Sequence, residues 1–480
     1  SARRMSSLLI LLVSASMLAA CGGGDGGDGA ASPDPVEVEI AAGPAMLPPA
    51  DDALTQGATI ERITTPDDIT PEVVQQRSEY SPGRVLLFGD PTLADPFDGP
   101  WVLAVLLQGS ESSGLGGEFD DRGTEVGRVD VPVEQLNQEG RHAGLLYGNL
   151  DPAAAEALGE AVVVRSGDEL PGSIELPSAA LRSAGDEVEL LVSADVDAGF
   201  LGATNAPPGA VPSVTWSRQG QDDWSRVAVS SFADTPGLEL LLRAITGGAA
   251  AGPNLLPVGG EGAIDQLVVV EVIDETLVQV QAQHLPLEQV VALVERLQPV
   301  PPERWVQLRD AAFVQPPYAT MVPNPRAVLD EVLGDVRIRI ELGVDRVDGP
   351  FGPFDSCFDS LTMTLRSGVG VPGTGGMGSG PCPEFGRVGL TPVEGRTIVH
   401  GVLSPAASYV DVRTSGGEVR RIDAVGDEWK LYAAEVAGVG TVIEVTASAA
   451  DGTVVGRMGP EPTPIGSSLA LGGGDLVAPG

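Results

Sequence analysis

Between residues 59 and 310 the chain consists mainly of short apolar or alternating runs separated by turn residues, a pattern typical of β-strands. Arg84–Asp90 and Pro100–Leu107 are apolar, and Asp-Pro and Asp-Gly-Pro turn signals separate them. Leu267–Val272 and Leu277–Gln283 are two further runs, and the second of them alternates. We expect all four runs to form strands.

Two stretches among these runs carry helix signals. Asp151 precedes Pro152 in an Ala-rich stretch that ends at Val162, so an N-cap residue is followed by a proline in the first turn. Residues 285–297 place valines and leucines at helical spacing, which predicts one apolar helix face, and prolines follow directly after it.

The second helix and its strands repeat an earlier pattern. The two helices lie about 135 residues apart, and Trp101–Leu107 corresponds to Trp224–Ser230 at an offset of about 125 residues. We interpret these echoes as an ancient duplication that gives two sheet-plus-helix halves, residues 58–200 and 201–312.

The C-terminal part has the pattern of an all-β domain. Val336–Leu342 alternates as a strand with one buried face should. Six later runs have the spacing of a small sandwich, immunoglobulin-like in shape: Thr397–Leu403, Tyr409–Thr414, Val419–Asp423, Trp429–Glu435, Thr441–Ala447 and Thr453–Arg457. The sequence thus predicts a β-rich α+β fold, with antiparallel sheet-plus-helix halves, a linker at 313–334, a sandwich-like domain at 335–460 and a disordered tail at 461–480.

The first residues of the chain have the pattern of an export signal. Two arginines precede an apolar run of about a dozen residues, which is too short to span a bilayer as a helix. The run ends in Leu18-Ala19-Ala20-Cys21, which resembles the lipobox of bacterial lipoproteins. This resemblance implies that residues 1–20 are a signal peptide, that Cys21 is lipidated, and that the cell membrane holds the protein on its extracytoplasmic face. A secretory signal cut after Ala20 is the alternative.

The sequence after Cys21 predicts a tether. Residues 22–29 contain only glycine and aspartate, and prolines continue to about residue 57. This composition cannot bury enough apolar surface to offset the entropy of ordering the backbone. We therefore expect residues 21–57 to form a disordered leash.

The charge of the chain narrows the class of partner. The sequence has 28 basic and 67 acidic residues, a net charge of −39, and Lys430 is its single lysine. Such a field repels nucleic acid and anionic lipid headgroups, so we expect no nucleic-acid partner. A cationic partner or surface protein is one interpretation of this charge, and solubility at high salt is the other.

Composition and one local pattern suggest a source and a family. Arginine without lysine, amid abundant Ala, Gly and Val, resembles the coding bias of GC-rich actinobacteria. Residues 268–308 read as strand, Leu-Pro-Leu-Glu-Gln helix, Leu-Gln-Pro-Val and Glu-Arg-Trp. This order is similar to the end of sheet-and-helix units in uncharacterised actinobacterial exported lipoproteins and anti-sigma ectodomains. The resemblance implies an exported protein and brings no catalytic residues with it.

The three cysteines fit an oxidising compartment. If Cys21 is lipidated, Cys357 and Cys382 remain as one pair, and we expect a disulfide between them. A two-cysteine metal site is the alternative, although no histidine lies nearby in the sequence.

The sequence contains no motif that selects a catalytic or cofactor site. His142, His284 and His400 lie more than a hundred residues apart, and no Gly-x-Ser-x-Gly elbow nominates a serine. Gly-x-Gly-x-x-Gly matches begin at Gly368 and Gly373, but both fall inside the cysteine loop rather than between a strand and a helix. We therefore interpret the histidines as structural and assign no cofactor.

Acidic clusters offer oxygen ligands for calcium, or they are solvated loops in a chain that is acidic throughout. The clusters are Asp90/Asp95/Asp98, Glu118/Asp120/Asp121 and Asp195/Asp197. No cluster has the spacing of a known calcium loop, so we assign no metal site.

Three functions remain as hypotheses. The first is a non-catalytic, membrane-anchored lipoprotein that binds or scaffolds a partner at the cell surface. The second is a carrier or sensor of a hydrophobic ligand, with a pocket lined by Leu103, Val105, Val269, Val290 and Val294. The third is an exported hydrolase, which needs a histidine with a perturbed pKa beside a nucleophile.

Overall fold

The structure is a computed structural model that describes most of the chain from residue 34 to residue 458. The described residues are 34–65, 82–108, 126–130, 141–165, 172–197, 211–219, 224–245, 254–257, 265–314, 322, 325–349, 352–368, 370–371, 374, 376–382, 386–393, 395–437 and 442–458. The predicted signal peptide, Cys21 and the predicted C-terminal tail lie outside these residues.

The N-terminal part of the described chain combines strands with all of the described α-helices. Its strands are β1 Val36–Val38, β2 Met46–Leu47, β3 Thr59–Thr64, β4 Pro82–Gly89, β5 Trp101–Gln108, β6 Val126–Asp130, β7 Arg141–Gly148, β8 Val163–Arg165, β9 Ser173–Glu175, β10 Glu189–Asp197, β11 Ser213–Gln219, β12 Trp224–Ala233, β13 Asn254–Pro257, β14 Asp265–Ile273, β15 Thr276–Gln283 and β16 Gln298–Pro299. Its helices are α1 Pro152–Ala161, α2 Ser178–Ala184, α3 Leu238–Ile245, α4 Leu287–Val294 and α5 Pro302–Val314.

The C-terminal part of the described chain contains strands only. They are β17 Ala327–Leu333, β18 Val336–Gly349, β19 Gly352–Leu365, β20 Gly376–Pro381, β21 Gly386–Val393, β22 Arg396–Leu403, β23 Tyr409–Thr414, β24 Val419–Asp423, β25 Lys430–Ala437, β26 Val442–Ser448 and β27 Val454–Met458. The protein is thus a β-rich α+β protein, as the sequence predicts. Among the described helices, none has both the length and the apolarity needed to cross a membrane.

Two six-stranded sheets form the N-terminal part. The strand order is β1-β10-β4-β5-β7-β6 in the first sheet and β13-β14-β15-β12-β11-β3 in the second. In the first sheet β4, β5, β7 and β6 lie side by side in that order, so the last two strands along the chain exchange places. In the second sheet β11, β12, β15 and β14 lie side by side in the same way. All of these neighbouring strands are antiparallel.

Helix α1 follows β7 in the first sheet, and helix α4 follows β15 in the second. The apolar face of each helix packs on its own sheet. Asp151 caps α1 by accepting a hydrogen bond from the Ala153 N–H at 2.9 Å, as its position before Pro152 predicts. Leu158 of α1 lies in the core against the first sheet, and Val290 of α4 lies in the core against the second.

The segment between residues 36 and 64 crosses both sheets as a strap. Strand β1 adds to the first sheet beside β10, β2 pairs with β16, and β3 forms the edge of the second sheet. Between them the Gly43 N–H donates to the Ser231 carbonyl. A side chain at Gly43 would collide with the Phe232 carbonyl, so glycine permits this close approach.

The prediction of a disordered leash as far as residue 57 is therefore wrong for the part of it that the structure describes. Val38, Met46 and Leu47 are buried. Asp52 is also buried and lies 2.9 Å from Arg296, with which it forms an ion pair. The few apolar residues of this segment find partners in both sheets, and this burial outweighs a composition rich in Gly, Pro and Asp.

The C-terminal part stacks three sheets. The third sheet has the order β17-β18-β19-β20, the fourth β21-β22-β25 and the fifth β24-β23-β26-β27. One apolar core joins the third and fourth sheets, and another joins the fourth and fifth, so the fourth sheet is the middle layer. The six strands predicted after residue 397 all form, and β21 is an additional strand.

The stretch predicted as a linker, residues 313–334, contains the end of α5 and all of β17. The Arg337 guanidinium donates to the Phe313 carbonyl at 2.9 Å and also binds Asp330 at 2.8 Å. A second contact joins the edge of the second sheet to the turn after β19, where the Thr65 N–H donates to the Ser367 carbonyl at 3.0 Å. These contacts connect the second sheet directly to the third.

Candidate functional site

The helix-facing sides of the two six-stranded sheets have the same apolar character. With Trp101 and Trp224 aligned at the starts of β5 and β12, Ala104 corresponds to Val227 and Leu106 to Val229. All four of these inner residues are buried against the helices that follow. The sides that face away from these helices differ.

The opposite side of the first sheet is apolar. Its residues Val85, Leu87, Leu103, Val105 and Leu107 belong to one core and are at most 2% exposed. Helix α3 contributes most of its length to the same core. This side of the first sheet is therefore buried in the core of the protein.

The equivalent side of the second sheet is largely polar, and we call it the polar face. Cross-strand pairing places its residues in three rows. The first row is Thr64, Ser213, Ser230 and Gln279, the second is Arg62, Thr215, Ala228 and Gln281, and the third is Ser217, Arg226 and Gln283. Thr215 stands where the first sheet has Val85, and Ser230 stands where it has Leu107.

Exposure increases along the polar face from the first row to the third. Thr64, Ser213, Ser230 and Gln279 of the first row are 1%, 3%, 5% and 7% exposed, respectively. Ser217, Arg226 and Gln283 of the third row are only half-buried. The face therefore has a closed end, where hydroxyl groups are withdrawn from water, and an open end.

The closed end contains a hydroxyl group without a partner. The Ser230 hydroxyl lies 3.3 Å from the Ser213 hydroxyl and forms a hydrogen bond with it. The Thr64 Oγ1 atom, which pairing with Ser213 places on the same face, is buried and has no hydrogen-bond partner among the described residues. Buried polar groups in native proteins are almost always paired, so this hydroxyl requires an explanation.

Two guanidinium groups of the polar face already have partners. Arg226 Nε lies 2.9 Å from Glu61 Oε2 in an ion pair. Arg62 Nε donates to the Gly368 carbonyl at 3.0 Å, which ties the second row to the turn after β19. Gly368 has a φ of +87° and lies against the Ile63 carbonyl, so a side chain there would collide with β3.

Helix α3 limits the extent of the polar face. Val268 and Val270 of β14 and Leu277 of β15 share the core with α3, so this part of the second sheet is covered. The helix is held by Arg243, whose guanidinium binds Asp95 at 2.7 Å and stacks 4.6 Å over the Phe97 ring.

The chemistry of the polar face suits binding rather than proton transfer. Serine, threonine and glutamine side chains each donate and accept hydrogen bonds without carrying charge. No histidine or unpaired carboxylate belongs to its three rows. Residues 34–314 contain 45 acidic and 14 basic residues, so the surrounding field disfavours anionic ligands.

The sequence contained a signal for this face that the search for catalytic motifs did not use. Gln279, Gln281 and Gln283 alternate with buried Val278, Val280 and Ala282 in β15. Such alternation indicates a strand with one apolar and one polar side. In β7, the equivalent strand of the first sheet, Gly144 and Leu146 occupy the positions of Gln281 and Gln283, and a comparison of the two predicted halves would have revealed the difference.

The histidines do not lie together. His400 is buried in β22 of the fourth sheet, and its Nε2 atom lies 3.0 Å from the Thr391 hydroxyl. Burial lowers the pKa of His400 to about 4, so the imidazole is neutral at neutral pH. His284 is exposed at the end of β15 with a φ of +53°, whereas the side chain of His142 is not among those the structure describes.

A buried carboxylate of the third sheet contacts the fourth sheet, which carries His400. Asp359 of β19 is 1% exposed and lies 3.4 Å from Arg387 of β21. Burial raises the pKa of Asp359, and the positive charge of Arg387 opposes that shift. The Gly389 backbone lies against the imidazole of His400, where a side chain would collide with the ring. No described serine or cysteine nucleophile is hydrogen-bonded to this imidazole.

The acidic clusters proposed as calcium ligands are engaged in other contacts. Asp90 accepts hydrogen bonds from Thr92, and Asp95 caps a short 3-10 turn at Pro96–Asp98 while binding Arg243. Asp195 pairs with Arg84, whereas Glu118, Asp120 and Asp121 lie outside the described residues and the side chain of Asp197 is not described. In the described part of the chain, no group of three or more His, Cys, Asp or Glu side chains could hold a metal.

Cys357 and Cys382 form a disulfide bond, the pairing that the sequence predicts. Cys357 lies in the core between the third and fourth sheets, and Cys382 packs against that core. The bond therefore joins the middle of β19 to the residue after β20.

The five residues proposed to line a hydrophobic pocket do not share a cavity wall. Leu103 and Val105 belong to the core around α3, whereas Val269, Val290 and Val294 belong to the core under α4. All five are at most 5% exposed.

Comparisons with protein-family models, curated proteins and solved structures find no match to this chain. The polar face and its surroundings are therefore interpreted from their own geometry and chemistry.

Proposed function

We propose that this protein is a non-catalytic binding protein anchored by lipid to the extracytoplasmic face of the cell membrane. The observation that carries the binding role is the polar face, which occupies positions that are filled with apolar core residues in the first sheet. Replacing core residues by hydrogen-bonding side chains sacrifices stability in the second sheet, and a ligand site is a physical reason for retaining them.

Two observations support the anchored, exported part of the proposal. Leu18-Ala19-Ala20-Cys21 resembles a lipobox, and the Cys357–Cys382 disulfide is typical of an oxidising compartment. Because β1 begins at Val36, the 14 residues between it and Cys21 span about 50 Å at most when fully extended. A lipid on Cys21 would hold the binding face near the membrane.

We also infer that the two six-stranded sheets arose by duplication of a sheet-plus-helix unit. The shared strand order and the helix after the fourth strand support this inference. The fourth and fifth sheets form a sandwich-like module, to which the third sheet adds a further layer.

The anchor is tested by the intact mass of the protein extracted from membranes of its source. We expect a mass that begins at Cys21, includes acyl chains and is two hydrogens lower for the disulfide. A Cys21→Ser variant should leave the membrane fraction. An unmodified mass beginning at Cys21, or one retaining residues 1–20, would contradict the lipid anchor.

The binding role is tested separately by thermal unfolding. A ligand that binds only the folded state raises the Tm, because it stabilises that state by an amount that grows with the logarithm of its concentration over its Kd. We expect the low-molecular-weight fraction of the source culture to raise the Tm of the wild-type protein and of a Thr446→Val control on the fifth sheet. An unchanged Tm in both proteins would contradict the proposal.

A further inference from the structure

We infer that the polar face binds an uncharged, polyhydroxylated ligand, a saccharide or polyol, with the Thr64 hydroxyl at the deepest contact. This inference rests on the proposed binding function and names the ligand class of the same site. It combines the composition of the three rows, the unpartnered hydroxyl at the closed end and the two guanidinium groups that already have partners.

The unpartnered hydroxyl indicates where a ligand would be bound most completely. Thr64 is 1% exposed and its Oγ1 atom has no partner among the described residues, although Ser213 beside it bonds to Ser230. A ligand hydroxyl can donate to this atom and accept from it at once. The closed end thus offers a hydrogen bond that the protein itself does not complete.

The charges of the site favour a neutral ligand. Arg226 is paired with Glu61, and Arg62 donates to the Gly368 carbonyl, so both guanidinium groups already have partners. A carboxylate or phosphate would compete with these contacts in a strongly acidic region. An ammonium group would find hydroxyl and amide oxygens but no carboxylate in the first row.

The spacing of the rows suits several hydroxyl groups on one small molecule. Neighbouring strands lie about 4.8 Å apart and alternate residues of one strand about 7 Å apart. Ala228, between Thr215 and Gln281 in the second row, is the smallest side chain among the three rows. Strands β11, β12 and β15 are paired on both edges, so a peptide cannot add to them as a strand.

The experiment is calorimetric titration of the full chain with defined sugars. Trehalose and N-acetylglucosamine are the neutral probes, and glucosamine and glucuronate are the cationic and anionic controls. We expect at least one neutral probe to bind, and its charged counterparts to bind at least 10-fold more weakly.

Two variants and a matched control locate the site. Thr64→Val removes only the deepest hydroxyl and should weaken binding about 5-fold, whereas Gln281→Met keeps the side-chain length and should weaken it at least 10-fold. Thr446→Val makes the same change on the half-buried outer side of the fifth sheet and should bind like the wild type. A single cooperative unfolding transition in the absence of sugar, with a Tm no lower than that of the wild type for Thr64→Val, verifies folding of the variants.

The outcomes distinguish this inference from the broader proposal. If the small-molecule fraction stabilises the protein but no neutral probe binds, the ligand class is wrong and the binding function stands. If a sugar binds equally to the wild type, Thr64→Val and Gln281→Met, the polar face is not its site. If nothing binds, both the inference and the binding function are overturned.

Discussion

The two six-stranded sheets share a strand order and a helix-covered side, but they differ over much of the other side. In the first sheet that side is filled by Leu103, Val105 and their neighbours and is buried with α3. In the second sheet the equivalent positions are Arg226 and Ala228, within rows of Ser, Thr and Gln. Packing against the following helix constrains one side in both sheets, and the second sheet is free to use its other side for recognition.

The largest expected effect comes from giving the first sheet the chemistry of the second. Leu103→Gln places an amide at a position that is 0% exposed, and we expect a loss of about 4 kcal/mol in the free energy of unfolding. The reciprocal change at the equivalent position, Arg226→Leu, should cost about 1 kcal/mol or less because the Arg226–Glu61 pair is partly exposed. Urea denaturation measures the free energy of unfolding of both variants. Similar losses for Leu103→Gln and Arg226→Leu would refute the proposed difference between the two sides.

The second expected effect distinguishes both six-stranded sheets from the fourth sheet, where His400 is buried. The pKa of His400 is lowered to about 4, below its ordinary value of 6.5. Between these two pH values the unfolded chain binds a proton on this histidine and the folded protein does not. The associated stability is present above pH 6.5 and is lost as the pH falls towards 4, by about 3 kcal/mol in total.

This pH dependence is measured by urea denaturation between pH 7 and pH 4. Subtracting the curve of a His400→Gln variant isolates the histidine, because Asp359 has a raised pKa and acts in the opposite direction. His284→Asn is the matched control, since His284 is exposed and asparagine tolerates its positive φ. A difference curve that is flat with pH would show that His400 titrates normally.

The third expected effect uses one isosteric exchange in both directions. Val85→Thr buries a hydroxyl in the apolar core around α3, and we expect a loss of about 2 kcal/mol. Thr215→Val makes the reverse exchange at the equivalent position of the polar face, and we expect a change of at most about 0.5 kcal/mol. If a denaturation experiment showed that Thr215→Val gains as much stability as Val85→Thr loses, the hydroxyl would cost the same on both sides. The two sides would then not differ in polarity.

Much of the fold could be predicted because local patterns determine it. Alternation and turn residues located β4, β5, β14 and β15 and most strands of the C-terminal part, and the cap at Asp151 located α1. Helix α5 was missed because the prolines before it were interpreted only as helix terminators. Pro302 occupies its first turn, where proline is favoured.

The remaining features depend on contacts between distant residues. The strap at residues 36–64 has few apolar residues, and its order comes from partners in β10, β12 and β16 that sequence spacing cannot identify. The polar face is visible in the alternation of β15, but its closed end depends on the pairing of Thr64 with Ser213 across about 150 residues of sequence.

The smallest expected effect concerns the hydroxyl at the closed end of the polar face. In the first sheet Val196 pairs with Gly83 as Thr64 pairs with Ser213 in the second, so Thr64→Val installs the residue of the equivalent position. Because the Thr64 hydroxyl is buried without a partner, its removal should raise the free energy of unfolding by about 0.5–1 kcal/mol. Urea denaturation without ligand measures this gain, and a loss of stability instead would mean that the hydroxyl is hydrogen-bonded in solution. A variant that is more stable yet binds its ligand less well would show that the second sheet keeps this hydroxyl for recognition rather than for folding.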